Sequence, residues 1–434
     1  LQIAWKNPFF PFFKAAAMNS EVKKPCRVLY ISSTYSRDEK DNQNPWMIDT
    51  IRHLGERGYQ IEVLAPSFRG LKTQRVGGVL VHRFRYFFAP WETLTHDQGA
   101  PNKIRGSLFY KLLLFPYIFF GMLAAMRVAR RGHYDFIQCH WPFPHGIMGW
   151  AGRLAAGIGS PTKKPKLIMH FHGACLLLAA KFKPIAPFLR FCLRRAHATV
   201  SNSTFTAGLV NALMPVPQSV IGFGSPLSGD PMPPAQNQVK VILTVGRVVE
   251  RKGIAYLIRA LPEILASQDA KIVIVGKGDP KVEADLRAAA HEVGLEDRVL
   301  FAGKVPEEEL IRWYRSCDVF CLPAIVDSQG ETEGLGVVLL EALNYARPVV
   351  ASNVGGIPDI IKDGRTGLLC PQRDSGALAK TILRLLADPA LGETLGRQGH
   401  EFVRKEFSWE NIVSLWERFY ADAALARAPI ERDT

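Results

Sequence analysis

Residues 239–265 read VKVILTVGRVVERKGIAYLIRALPEIL: a β-branched run over Val239–Val245, a short cationic loop from Gly246 to Gly253, and a stretch with apolar Ile254, Leu257, Ile258, Leu261 and Leu265. The first part has the composition of a buried strand and the last the spacing of a helix. Strand, tight loop and helix in that order are the first half of a βαβ unit. The loop therefore lies at the carboxyl end of a strand, where the first amides of the next helix lack intrahelical partners and favour anions. Arg247 can fork two phosphate oxygens and Lys252 adds a mobile point charge. Together they suit the charge that develops on a departing nucleoside diphosphate. The bland alternative is two solvated surface cations.

Working outward, the alternation continues downstream with strands at Ile272–Val275, Val299–Ala302, Val319–Leu322 and Pro348–Ala351. Upstream, Ser225–Gln238 carries four prolines among small polar residues, which excludes a helix or a central strand. Before it the pattern starts near Cys26. Strands are expected at Val28–Ile31, Ile61–Leu64, Val79–Phe84, Phe136–Cys139, Leu167–His170 and Thr199–Val200, with a helix on Met47, Ile51 and Leu54 that stops at Gly58. The expected fold is α/β, with two doubly wound Rossmann-like domains over 26–225 and 239–410 joined by a linker at 226–238. An extension occupies 1–25, and a terminal helix over 411–434 can cross back to the first domain. Two such domains present their strand ends to one central cleft, where ligands bind.

Bulk properties agree. A chain of 434 residues with 47 % hydrophobic and 22 % charged residues suits two soluble domains. The seven cysteines form no Cys-x-x-Cys pair, which argues against a zinc site or a disulfide framework and fits a reducing cytoplasm. Residues 1–228 hold 29 Lys and Arg against 10 Asp and Glu, whereas residues 229–434 hold 25 against 30. The first half thus points to an anionic partner.

The segment EGLGVVLLEA, from Glu333 to Ala342, sets two glutamates at either end of a glycine-rich helix entry. Amides near Leu335–Val337 suit a diphosphate, and the carboxylates suit hydroxyls: Glu341 a ribose, Glu333 the transferred sugar. A capped helix with two solvated glutamates is an equal reading of this segment alone.

With VGRVVERKG, IVGKGDP (Gly276, Gly278), FAGKVP, EGLGVVLLEA, Gly355-Gly356-Ile357-Pro358 and TGLLCP in this order, the chain over most of 239–410 resembles glycosyltransferase family 4, the retaining group 1 transferases of the GT-B architecture. The resemblance implies donor contacts from Gly246, Arg247, Lys252, Gly334, Leu335, Gly336 and Glu341, with Glu333 at the sugar and Val305 near the nucleobase. It also implies retention of anomeric configuration, a UDP- or GDP-sugar as donor substrate, no cofactor and no metal. No Asp-x-Asp element is present to hold one. In the N-terminal half His172, in HFHG after a strand, matches the family's His-Gly turn, so an imidazole there can bond the donor sugar or stabilise developing charge. A histidine satisfied by the backbone is the alternative. Two places depart from the family: Asn42-Gln43-Asn44-Pro45-Trp46 stands where many relatives carry a Gly-Gly loop, and Val220–Gly224 lacks the proline-bearing form.

The basic half contains two apolar stretches with basic flanks. Leu112–Met126 is followed by Arg127, Arg130 and Arg131; it has 15 residues, includes Pro116, and falls short of the roughly 20 that span a bilayer. Lys181–Arg195 interleaves aromatics with five cations. The first reads as a buried or interfacial helix and both as segments that contact a membrane surface, with an ordinary core helix bearing a solvated face as the alternative. The expectation is a cytoplasmic enzyme, peripheral at the inner face of the membrane, acting on a glycan or lipid-linked acceptor. A nicotinamide dehydrogenase is disfavoured because Gly276-Lys277-Gly278 lacks the third glycine of that fingerprint. Nucleic acid is not expected, since no zinc finger, ribonucleoprotein box or helix-turn-helix signature occurs. A nucleotide-sugar-binding protein or an epimerase on the same fold is the remaining alternative.

Overall fold

The computed structural model describes residues 26–430 except 42–43, 97–99, 159–163, 226–228, 234, 236 and 427. The N-terminal extension, Asn42 and Gln43, part of the linker and residues 431–434 lie outside the described residues.

Eight strands form the first sheet: β1 (Arg27–Ile31), β2 (Gln60–Pro66), β3 (Gln74–Val76), β4 (Val79–Phe84), β5 (Phe136–His140), β6 (Lys166–Phe171), β7 (Ala198–Ser201) and β8 (Ser219–Val220). Their order is β3-β4-β2-β1-β5-β6-β7-β8. All pairings are parallel except that of β3 with β4, a hairpin whose turn uses Gly77 and Gly78 at φ 56° and 77°. The second sheet contains β9 (Lys240–Val245), β10 (Ala270–Val275), β11 (Val299–Gly303), β12 (Val319–Leu322), β13 (Val349–Ser352) and β14 (Leu368–Cys370), ordered β11-β10-β9-β12-β13-β14 and parallel throughout. Both orders reverse direction beside the first strand of their sheet, between β1 and β5 and between β9 and β12. Those reversals open the crevices in which doubly wound sheets hold ligands.

Strands buried on both faces need apolar residues at nearly every position, and β1, β9 and β10 supply them. Helix Ile254–Leu265 buries Ile254, Leu257, Ile258, Leu261 and Ile264 on the second sheet. The last helix, Trp409–Leu425, belongs spatially to the first domain: Ile412, Val413, Trp416, Phe419, Tyr420 and Ala423 share a core with Val28, Tyr30, Met47, Ile51 and Phe136. Gly224 lies against Trp409 so closely that a Cβ there would fall 2.4 Å from the indole.

The apolar run around Pro116 departs from its sequence reading. Helix Leu108–Gly132 continues through Pro116 for 25 residues, long and apolar enough to cross a membrane by length and composition. One proline removes one backbone donor, and packing outweighs that loss. Leu113, Tyr117, Gly121, Ala125 and Ala129, spaced by four, are buried on the first domain. Gly121 allows the close approach of Met148. The opposite stripe is bare, with Leu108 69 %, Leu112 58 %, Phe115 73 % and Phe119 57 % exposed. The second basic stretch folds differently. Pro184 and Pro187 sit at the start of helix Ile185–Arg195, where backbone donors are not needed, and Ile185, Leu189, Cys192 and Leu193 are core residues. Its exposed cations Arg190 and Arg194 form the solvated face of a core helix.

Candidate active site

On the second domain the loop after β9 folds as a short 3-10 turn, Glu250–Lys252, before the helix at Ile254. This turn places Arg251 and Lys252 side by side, and both reach the same carboxylate. Lys252 Nζ lies 2.7 Å and Arg251 NH1 2.8 Å from Glu333 Oε2. Burial alone would raise the Glu333 carboxyl, but Lys252 and Arg251 outweigh it and hold it at about 2. Burial lowers Lys252, against the opposing pull of Glu333, and lowers Arg247 with help from Arg251. Glu333 is therefore an ionised, ion-paired group in this structure, and the solvated-glutamate reading of its segment fails. Arg251 is a site residue that the motif alone does not single out; its adjacency to Lys252 is the signal that points to it.

Glu341, eight residues on, sits in a different environment. Tyr314 Oη donates to its Oε2 at 2.5 Å, and burial raises the carboxyl to about 7. Between the two glutamates Leu335 is buried, Gly336 takes φ 91° and helix Val337–Asn344 begins with no side-chain cap. Glycines hold these loops together at backbone distance. A Cβ at Gly356 would fall 2.1 Å from the Gly334 carbonyl oxygen, and the Gly356 amide donates to the Glu333 carbonyl at 3.0 Å. A Cβ at Gly276 would fall 1.9 Å from the carbonyl oxygen of Gly246, and one at Gly278 2.0 Å from that of Val248. The separate motifs are thus one packed unit. Val305, just beyond β11, is half-buried against the core beneath it.

Facing this unit, the first domain offers rings. His172 follows β6 and packs among Trp46 at 4.9 Å, Trp141 at 4.7 Å and His170 at 4.1 Å between ring centroids. Trp46 also stacks on Phe223 at 4.5 Å. Asn44, in the left-handed region at φ 54°, bonds Thr34 Oγ1 at 2.6 Å and starts the helix that delivers Trp46. The domains meet here. A Cβ at Gly334 would lie 3.5 Å from both the His172 carbonyl oxygen and Asn202 Nδ2, and the Thr204 amide donates to Asp359 at 2.6 Å. The His172 backbone and Gly334, next to Glu333, thus adjoin where the two domains meet. The backbone-satisfied alternative for His172 does not hold, since its Nε2 bonds His140 Nδ1 at 3.2 Å.

Nitrogens of His140, His170 and His172 lie within 4.8 Å of one another, a spacing that could hold a divalent ion. In this structure His140 Nδ1 and His172 Nε2 are engaged with each other. The sequence reading singled out only His172 of this trio. His170 lies in the same HFHG segment, His140 carries no motif, and the pairing of β5 with β6 brings the two together.

Comparison with known proteins bears on the family and the fold. The family described as group 1 glycosyl transferases matches residues 239–388, and Glycosyltransferase Family 4 matches residues 46–223. The chain belongs to the group 1 glycosyltransferases of the GT-B fold. A GDP-mannose-dependent alpha-(1-6)-phosphatidylinositol monomannoside mannosyltransferase of Mycobacterium tuberculosis is 34 % identical over 40 % of this chain and 45 % of its own length. The chain spans under half the length of the first curated relatives it matches. Phosphatidyl-myo-inositol mannosyltransferase of Mycobacterium leprae is 29 % identical over 92 % of this chain and 97 % of its own. Among solved structures, sucrose-phosphate synthase of Thermosynechococcus elongatus superposes with a TM-score of 0.68 at 22 % identity, covering 92 % of this chain and 98 % of that one. Anabaena HepE in complex with UDP and glucose gives 0.64 at 17 % identity, covering 92 % and 100 %. At these identities the structures speak for the fold alone.

Proposed function

We propose that the protein moves a hexosyl unit, with retention and without a bound metal, from a UDP- or GDP-sugar to a glycan or lipid-linked acceptor. The observation that carries this reading is the largely buried cluster of Arg251, Lys252 and Glu333, with exposed Arg247 beside it, at an uncapped helix entry where Gly334 approaches the His172 backbone. In this reading the cations and the free amides near Gly334–Gly336 take the diphosphate and offset the charge left on it when the glycosidic bond breaks. Glu341 accepts from the ribose, Glu333 from the sugar hydroxyls, and Val305 flanks the base. Mobile charge from a metal is then unnecessary, because fixed cations already occupy that role. The relatives named above use GDP-mannose or bind UDP, which supports either base. Thermal stabilisation by UDP-, GDP- and ADP-sugars, measured with and without a chelator, tests it. Stabilisation by none of them, or stabilisation that vanishes with chelator, would sink it.

The acceptor side of the proposal is a membrane, with the protein peripheral at the cytoplasmic face. Its support is the bare stripe Leu108, Leu112, Phe115 and Phe119, together with exposed Phe88 and Trp91 and the basic residues Lys111, Arg127, Arg130 and Arg131. Helix Leu108–Gly132 contains no acidic residue. Burying each large apolar side chain contributes roughly 1.5–3 kcal/mol, and each cation near anionic lipid about 1 kcal/mol. Co-sedimentation with anionic vesicles, lost in Phe115→Glu with melting unchanged, is the expected result. Equal sedimentation of the variant would return the acceptor to solution.

A further inference from the structure

The histidine trio connects to the C-terminal helix through one continuous set of hydrogen bonds, and their directions can be assigned. Tyr420 Oη donates to Gln138 Oε1 at 2.8 Å. Tyr420 also lies 3.0 Å from Tyr30 Oη and, having spent its own proton, accepts there. With Gln138 Oε1 set against Tyr420, its Nε2 faces the histidines, at 3.3 Å from His140 Nε2 and 3.2 Å from His170 Nδ1. An amide nitrogen only donates. Both ring nitrogens therefore accept, and each neutral ring carries its proton on the other nitrogen. For His140 that nitrogen is Nδ1, which donates to His172 Nε2 at 3.2 Å. His172 is left with its proton on Nδ1, an atom shielded from solvent and without a partner among the described residues.

We propose that Gln138 and Tyr420 are positioning residues that hold His172 in one tautomer, so that its one unpaired nitrogen, Nδ1, is a neutral N–H donor and the ring cannot serve as a base. This rests on the reading of His172 as a group of the active site. The chemistry follows from the assignment. With its lone pair engaged by His140, His172 can donate to a hydroxyl or ring oxygen of the sugar but cannot take a proton from one. Burial keeps all three imidazoles from charging, so a cation is not supplied either. The chain also gives the returning helix Trp409–Leu425 a part in the site: Tyr420 sits in the core with Tyr30 and Phe136, and its hydroxyl sets the amide that sets the histidines.

The test uses the full-length protein. Nitrogen-15 NMR of labelled histidine should report His172 protonated at Nδ1 and His140 at Nδ1 in the wild type; an Nε2-protonated His172 overturns the proposal without any variant. Release of nucleoside diphosphate from GDP-mannose or UDP-glucose, whichever stabilises the protein, gives the kinetic arm. Gln138→Leu should lower kcat about tenfold, and Tyr420→Phe less, with nucleotide affinity unchanged. In Gln138→Leu the His172 signal should split between tautomers. A loss of melting temperature with kcat and tautomer unchanged would make both residues merely structural. His172→Ala separates the two layers: if it leaves kcat intact, the active-site reading falls and the proposal with it, whereas loss of kcat beside an Nε2-protonated His172 removes the proposal alone.

Discussion

The two sides on which the domains meet are built in opposite ways. The C-terminal wall is made of charge: Arg251 and Lys252 close on Glu333 within 2.8 Å, with Arg247 beside them. The N-terminal wall is made of neutral rings: Trp46, Trp141 and Phe223 around three uncharged imidazoles. A diphosphate needs fixed, localised charge, which one loop can supply from neighbouring residues. A sugar presents hydroxyls and apolar faces, which need oriented donors and ring surfaces drawn from several strands. The difference teaches that the two halves of the site fail differently when disturbed.

Glu333 is where that contrast is easiest to break. Glu333→Gln should lower turnover by roughly two orders of magnitude, because an interaction realised in the transition state appears in kcat. It also leaves Lys252 and Arg251 buried without a carboxylate, so the free protein should melt lower and gain more from added UDP or GDP. Equal loss of nucleotide binding and turnover would show that Glu333 serves the diphosphate pocket only.

On the same wall, Lys252→Ala should weaken UDP or GDP binding by about one to two orders of magnitude, as loss of a charged hydrogen bond of roughly 1.5–3 kcal/mol requires. Arg247→Ala should behave alike. Titration calorimetry that finds both variants unchanged would move the diphosphate elsewhere. Across the cleft, His172→Ala should lower kcat about tenfold while nucleotide affinity and melting stay near the wild type. A variant that unfolds would make His172 a core residue.

The smallest effect separates the two glutamates. Burial raises Glu341 to about 7, above the usual 4.5, so the folded protein holds a proton there that the unfolded chain has released. Stability from this group is full below about pH 4.5 and declines as pH rises through 7. Glu333, held near 2, does the reverse, and its contribution is lost as pH falls from about 4.5 toward 2. Glu341→Gln should therefore remove a decline of about a few degrees in melting temperature between pH 5 and 8. An identical pH profile in the variant would place Glu341 among ordinary carboxylates.

The sequence by itself determined the parts that are local. Val239–Gly253 forms strand and loop because β-branched residues precede a glycine and a cationic turn, and EGLGVVLLEA forms a helix entry for similar reasons. The strand order of the sheets was not legible there: right-handed crossovers only narrow the alternatives, and the tertiary structure selects among them. The tertiary structure decided what depends on distance in sequence. The short edge strands β3, β8 and β14 exist because a neighbour offers unpaired backbone groups. Helix Leu108–Gly132 runs through Pro116 because its buried stripe on the first domain outweighs one missing bond. Arg251 joins Lys252 on Glu333 across 82 residues. Tyr420 reaches Gln138 across 282, a hydrogen bond that exists only because the last helix returns to the first domain and buries both groups where each must find a partner.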